Sequence, residues 1–342
     1  MSDVLFAEPS YYWGLAIGIY LFLGGLAGGS YVTGFASDVL AYRNGETKPA
    51  HRQSTRWGFL IAVVAIAVGG PILLLHLGAP LRAPLILYEF TNWASWMAIG
   101  VWVLLLFTLF ALVQFVWTSF GRMASDDLSC FVRTILAKIK LAGIVDSIAD
   151  RTRPSERIRV GLNAVGAALA ILLVVYTALL LSAIWVVPLW EPPLLPLLFL
   201  ASGLSMGIAA TMGLTLLSAD LETAPIHEFS LADDVVIIAE LVVIALLWQQ
   251  LAAMDTPAAE MTIQALQTDY QLAFFGVVIG IGLIAPLVIS VALIALKRVR
   301  EKSEVHRILQ FGYGAKFGFV VLGGLALRLV VLFAAVQEPI IL

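Results

Sequence analysis

The chain has 342 residues, 61% of them hydrophobic and 13% charged, with a mean hydropathy of +0.97. Soluble domains hold about 45–50% apolar and about 25% charged residues, so a soluble enzyme, a disordered chain and a fibre are excluded. A net charge of −3 offers no footprint for nucleic acid, and the single cysteine, Cys130, rules out an intrachain disulfide and a Cys-ligated zinc or iron–sulfur site in this chain.

What remains is an all-α integral membrane protein. A hydrocarbon core about 30 Å thick needs about 20 mostly apolar helical residues per crossing. Eight stretches qualify, near 12–37, 57–77, 93–119, 160–187, 196–219, 234–252, 271–296 and 312–336. Met1–Pro9 lacks a basic n-region and carries Asp3 and Glu8, so the first span is expected to stay in the mature protein.

Span one carries Tyr11, Tyr12 and Trp13 at its start and Tyr20 about two turns deeper, then a glycine-rich stretch, and closes on Asp38. Span two leaves through Pro71, His76, Gly78 and Pro80, and span three begins with Asn92, Trp93, Ser95 and Trp96. Span four brings Tyr176 and Ser182, followed by Trp185 and Trp190. A short Pro-rich connection, Pro188–Pro196, leads to span five, which ends on Asp220. Span six contains Glu240 and span eight contains Arg328, ionisable groups at membrane depth. Such groups are costly in lipid and read as a structural ion pair or as a step in a proton path. Asp38 and Asp220 are expected to be solvated helix ends, with a place in a proton path as the alternative. The chain divides into two expected four-helix bundles, 1–187 and 188–342.

Eighteen of the twenty lysines and arginines fall on the 1–2, 3–4 and 7–8 connections, Lys316 being counted with the last. By the positive-inside rule these face the cytoplasm, and both termini lie outside. The 5–6 connection is inside by parity although acidic, with Asp233 and Asp234 placed in it. The four histidines, His51, His76, His227 and His306, do not pair within spans, so a bis-histidine haem is not expected. The first four spans thus gather aromatic and hydrogen-bonding groups in the outer half of one bundle. For Trp13, Trp93 and Trp190 the plain reading is an interfacial aromatic belt. Tyr20 and Tyr176 lie too deep for a belt, and a buried phenol needs a partner, either another helix or a ligand carbonyl. A quinone suits such a pocket, with His76 able to exchange a proton near neutral pH.

Three segments together resemble the NrfD / polysulfide reductase membrane-subunit family: Tyr20–Gly29; His76-Leu77-Gly78-Ala79-Pro80 with Asn92, Ser95-Trp96-Met97 and Gly100; and Tyr176-Thr177 leading to Pro188-Leu189-Trp190 and Leu197–Leu204. The resemblance covers about residues 12–336. It implies an eight-helix, multi-pass anchor of the cytoplasmic membrane with no redox cofactor of its own. Such an anchor exchanges electrons between quinone, menaquinone or ubiquinone, and a four-cluster iron–sulfur subunit docked on the outer, periplasmic face. That subunit in turn serves a molybdopterin catalytic subunit. Position by position, it implies quinone contacts at Tyr20 and Tyr176, and places Asn92 and Trp96 beside the docking surface; with His76 these make the expected quinone-binding set Tyr20, His76, Asn92, Trp96 and Tyr176. The sequence departs from the family at His76, where many members carry aspartate, and at Ile17, where some relatives carry a polar residue. Glu240 and Arg328, with Asp38 and Asp220, are the expected proton-path residues.

Two other classes compete. Span five, Leu198–Gly207, is similar in character to Leu21–Gly29 of span one, and a parallel repeat with Gly- and Pro-interrupted helices would suit a secondary transporter. Against a transporter stands the expectation that no charged pair lies near the interface between the repeats. The third class is a structural anchor that does not touch quinone.

Overall fold

The computed structural model describes residues 14–43, 49–76, 96–121, 140–184, 186–191, 193–218, 225–299 and 302–336, with isolated positions between 132 and 138. Among them the regular structure is helical. Four helices of the first part are α1 (Leu15–Arg43), α2 (Pro49–His76), α3 (Trp96–Ser119) and α5 (Glu156–Ser182), with a short α4 (Ala142–Thr152) before α5. A 3-10 turn, Pro188–Trp190, precedes α6 (Leu194–Ser218), α7 (Ile226–Ala253) and a short α8 (Pro257–Gln267). Residues Leu272–Ile284 are wound as a π-helix that runs into α9 (Ala285–Val299), and α10 (Lys302–Phe333) closes the fold.

Seven of these, among the described residues, are long and apolar enough to cross a membrane: Leu15–Arg43, His51–Leu75, Ala98–Ser119, Glu156–Ser182, Leu194–Ser218, Leu272–Lys297 and His306–Phe333. The chain is therefore a multi-pass integral membrane protein. The sixth expected span, 234–252, falls within the 28-residue helix α7, which is not one of those seven.

Local sequence explains several boundaries. Pro257 opens α8 at a position where its missing N–H costs nothing, and Thr256 caps the helix by accepting a hydrogen bond from the Ala259 N–H at 3.3 Å. Within the seventh span, Pro286 cannot donate and its ring would press on the carbonyl four residues earlier. The winding before it is widened, and the Ala285 N–H reaches back five residues to the Gly280 carbonyl.

Helix α1 is the hub, packing on α2, α5, α6 and α10. Its contact with α6 is backbone to backbone. A Cβ added to Gly29 would fall on the Gly203 carbonyl, and one added to Gly203 would lie 3.4 Å from the Gly25 carbonyl. Gly29 also meets Gly207, so the helices run parallel at a constant offset. The two glycine-rich stretches that look alike in sequence are thus the two sides of one seam. Small residues are what allows helices to approach closely in lipid, where no hydrophobic drive separates helix from solvent. Polar ties reinforce the C-terminal end of α6: Trp57 donates its ring N–H to Ser218 Oγ at 2.7 Å, and Gln53 donates to the Ser218 carbonyl at 2.9 Å.

Two apolar clusters flank this seam. One joins Tyr31, Phe59, Phe107, Phe115 and Leu173 of α1, α2, α3 and α5, with the Tyr31 ring 4.8 Å from that of Phe59. The other collects Phe199, Met212, Ile237, Phe274 and Leu327, and also takes in Ile17 and Tyr20 of α1. Trp190 belongs to the second cluster: it is 3% exposed and donates its ring N–H to the Val331 carbonyl at 2.9 Å. An interfacial belt position is therefore wrong for Trp190. Its indole ties the connection before α6 to the end of α10.

Candidate functional site

Tyr20 is five residues from the start of α1, and Tyr176 is six from the end of the antiparallel α5, so both sit at the same end of the bundle. Each is 5% exposed. Their phenols are near enough to interact electrostatically. Glycines make room for them. A Cβ on Gly100 of α3 would fall inside the Tyr176 ring, and one on Gly69 of α2 would touch the Tyr20 ring at 3.7 Å. Four helices therefore meet around two buried phenols, about 8–9 Å inside the helix ends at 1.5 Å of rise per residue.

Trp96, the first residue of α3, is 45% exposed, one turn before the Gly100 that abuts Tyr176. His76 is the last residue of α2. Its side chain, together with Asn92, Tyr11, Tyr12, Trp13, Trp93, Ser95 and Trp185, lies outside the described residues, as does Asp220.

A second polar arrangement runs through α6, α7 and α10. Arg328 is completely buried and donates to Ser202 Oγ at 2.5 Å and to the Phe199 carbonyl at 3.2 Å, with the Phe199 ring 4.9 Å beneath its guanidinium. Glu240, which is 3% exposed, lies close to Ser202. Ser202 thus stands near both Glu240 and Arg328; the ion pairs among the described residues do not join the two directly. The guanidinium lies on the α1–α6 seam, 2.9 Å from where a Gly25 Cβ would stand. A buried guanidinium occupies the interface between the similar helices, where the sequence reading expects no charged pair. The bare backbone of Gly25 provides the space that a composition count does not reveal.

Two turns from Glu240 on α7, Asp233 accepts a 2.6 Å hydrogen bond from Ser205 and lies 3.7 Å from Lys316 Nζ. Lys316 is fully buried and reaches Asp234 at 2.6 Å, Ser230 Oγ at 2.7 Å and Ser290 Oγ at 2.9 Å. Beyond it, His227 Nδ1 is 3.2 Å from the Tyr313 hydroxyl, and Lys297 sits over the Tyr313 ring at 5.4 Å. The result is a row of ionisable and hydroxyl groups from the Lys297 end of the helices to Arg328 at the seam. Hydropathy places Asp233 and Asp234 in the 5–6 connection and Lys316 at the entry to span eight. The two aspartates lie inside a helix instead, because α7 begins at Ile226, several residues before the apolar run, and Lys316 lies well inside α10, which begins at Lys302. The available signal is the seven-residue spacing of Asp233 and Glu240, which puts both carboxylates on one helix face.

Asp38 is likewise not a solvated helix end. It is 7% exposed, accepts two hydrogen bonds from Arg159 at 2.9 and 2.7 Å, and takes a third from Asn163 at 2.9 Å. Arg159 lies four residues inside α5 and turns inward, where a buried bidentate partner satisfies it.

A sequence profile of the family described as polysulphide reductase, NrfD, matches residues 3–339. The sequence is 32% identical over 284 residues to the C subunit of polysulfide reductase from Wolinella succinogenes, an alignment covering 82% of this protein and 83% of that one. It is 31% identical over 237 residues to a protein NrfD homolog of Haemophilus influenzae, covering 66% and 67%. Protein NrfD of Escherichia coli is 27% identical over 337 residues, 96% of each sequence.

Proposed function

This chain belongs to the polysulphide reductase NrfD family, and from that premise we propose that it binds quinone at Tyr20 and Tyr176 and exchanges electrons with an iron–sulfur partner. Membership makes it the membrane subunit of an oxidoreductase complex. On this reading eight helices cross the cytoplasmic membrane, α7 among them, as a quinone-binding bundle (1–187) and a second bundle (188–342). Both termini and the Tyr20–Tyr176 end face outward. A four-cluster iron–sulfur subunit and a molybdopterin catalytic subunit dock there, near His76, Asn92 and Trp96.

One observation carries the proposal: two buried phenols lie at the same end of four helices, each seated against a glycine. Buried hydroxyls want partners, and the two carbonyls of a quinone ring supply acceptors in an otherwise apolar setting. Bound quinone would supply the two-electron, two-proton chemistry. The residues of the chain orient the ring by donating hydrogen bonds, exclude water, and exchange protons, with His76 the nearest titratable group in sequence to the pocket.

The row from Lys297 to Arg328 supports a proton path through the second bundle, with Glu240 and Arg328 at its inner terminus and Asp233, Asp234 and Lys316 along it. Asp38 and Asp220 belong to the cytoplasmic entrance. The same row keeps a secondary transporter as a second reading, since buried charge at a helix seam is what ion coupling needs.

The deciding experiment is quinone-coupled turnover of the assembled complex carrying Tyr20→Phe or Tyr176→Phe. A raised KM for quinol in either variant supports the pocket, and unchanged turnover in both removes it. Uptake by vesicles containing this protein without partner subunits would favour the transporter.

A further inference from the structure

Lys316 is held between two successive carboxylates of α7 that differ in their access to water: the Asp233 side chain is 0% exposed and that of Asp234 14%. The ammonium rests on the more exposed one. Four oxygens share its three N–H bonds: Asp234 Oδ1 at 2.6 Å, Ser230 Oγ at 2.7 Å, the Ser230 carbonyl at 2.8 Å and Ser290 Oγ at 2.9 Å. Ser290 in turn donates to Asp234 Oδ1 at 3.0 Å, so this serine of α9 ties the lysine and the carboxylate together.

Asp233 is left over. Its Oδ1 accepts from Ser205 of α6 at 2.6 Å, while its Oδ2 stands 3.7 Å from the ammonium and has no hydrogen-bond partner among the described residues. An ionised Asp233 would be a charge in a dry site with one oxygen unpaired, a costly arrangement in any protein interior. Two events relieve it. One is a proton on the carboxyl group; the other is closure of the lysine by about 1 Å to the length of a charge-assisted hydrogen bond. The flexible four-carbon stem of lysine permits that shift without movement of the helix. Asp234, released by it, has water to turn to.

The surroundings supply no further counter-charge among the described residues. Helices α6 and α9 contribute the serines Ser205 and Ser290, and the π-helix that packs on α7 carries no ionisable side chain. Along α7 the next charge is Glu240, of the same sign as Asp233. His227 and Lys297 gather at Tyr313.

We propose that Asp233 is the proton-holding group of this row and that Lys316 is its two-position gate. With the ammonium on Asp234, Asp233 carries a proton and is neutral. When its O–H bond breaks and the proton leaves, the new carboxylate draws the ammonium across; reprotonation of Asp233 sends the ammonium back to Asp234. Lys316 keeps its own three protons throughout, so one proton enters and one leaves per cycle. This deepens the proton-path reading, on which the purpose of the gate rests.

The test uses the full-length protein with whatever subunits accompany it, reconstituted in lipid, and reads infrared difference spectra as the pH is stepped from acid to alkaline. The expected spectrum at neutral pH contains the band of a protonated carboxylic acid that shifts on deuteration and is lost in Asp233→Asn. Asp234→Asn removes the carboxylate on which the ammonium rests, and should lower the titration midpoint of that band by about one pH unit or more, a tenfold loss of proton affinity. Ser290→Ala changes no charge but loosens the same position, and should lower the midpoint in the same direction by less. A band that is absent from the parent, or that persists in Asp233→Asn, overturns the proposal. A midpoint unmoved in Ser290→Ala reduces the Asp234 effect to the loss of a like charge and overturns the gate. Should Asp233→Asn not fold, aspartate labelled with carbon-13 in its side-chain carboxyl is supplied to the parent, and a band that does not shift with the label overturns the assignment. The membrane potential built by the assembled complex separates this inference from the reading beneath it. An unchanged potential in Asp233→Asn, with the infrared result as expected, removes the proton path and leaves the gate standing.

Discussion

The helices before the Pro188 turn and those after it handle charge in opposite ways. In α1–α5 the charged groups gather at one end, around Asp38 and Arg159, and the buried polar groups above them are mostly neutral, Tyr31, Thr177, Tyr176 and Tyr20 among them. In α6–α10 the charge runs inward, from Lys297 through Lys316 and Asp233 to Glu240 and Arg328. Burying a charge is costly unless it is paired and hydrogen-bonded. A half that keeps charge at its rim offers an apolar interior suited to a neutral ring, while a half that carries it through the core maintains groups able to hold and pass protons. The difference teaches that the two halves, joined at a glycine seam, are suited to different tasks.

The largest effect should come from breaking the charged row at its buried terminus. Arg328→Met leaves Glu240 without its counter-charge and should cost about 3–5 kcal/mol of stability. The measurement is the unfolding midpoint in detergent, and a variant as stable as the parent would show the pair to be dispensable. Glu240→Gln, which keeps the shape and polarity of the side chain, should fold and preserve electron transfer while lowering the membrane potential built by the complex. An unchanged potential, read with a voltage-sensitive dye in vesicles, would make the row structural.

Next in size is the seam itself. Gly29→Val places two methyl groups where the Gly203 carbonyl lies, and should destabilise by about 1–3 kcal/mol as the backbones separate. A smaller effect is expected at the proposed quinone site. Tyr176→Phe removes one hydroxyl from the buried pair, and at about 0.5–1.5 kcal/mol per hydrogen bond should raise the KM for quinol by about 2- to 10-fold with kcat less affected. The smallest is Gly143→Ala in the first turn of α4, where a Cβ meets nothing within 4 Å. It should stabilise the helix by about 0.5–1 kcal/mol, seen as a slight rise in the unfolding midpoint.

Much of this architecture is legible in the sequence, because lipid permits few solutions: apolar runs of the right length must be helices. The depth of Tyr20 and Tyr176 can likewise be counted along their spans, and both are buried at the same end. The charged row is harder to read. Asp233 and Asp234 flank an apolar run, so hydropathy assigns them to a connection, and Lys316 reads as the entry to span eight, whereas the partners of all three come from helices distant in sequence. The burial of Asp38 is hidden for the same reason, since its partner Arg159 is more than a hundred residues away. Helix α4 escapes because it has too few apolar residues to register as a span, and its amphipathic face emerges only once the helix is wound.

The π-helical stretch Leu272–Ile284 has a consequence for register. Each wide turn takes in one residue more than an α-turn, so the side chains before Pro286 are rotated about the axis relative to where uninterrupted α winding would point them. That rotation presents Phe274, stacked 6.2 Å from Trp248, and Phe275, edge-on at 5.9 Å, to the same indole of α7. The segment behaves as a helix carrying an extra residue, and the aromatic clasp on α7 exists only in that phase. Deleting a single residue from it would turn Phe274 away from Trp248 while leaving α9 in place. The length of this stretch, as much as its composition, sets what α7 packs against.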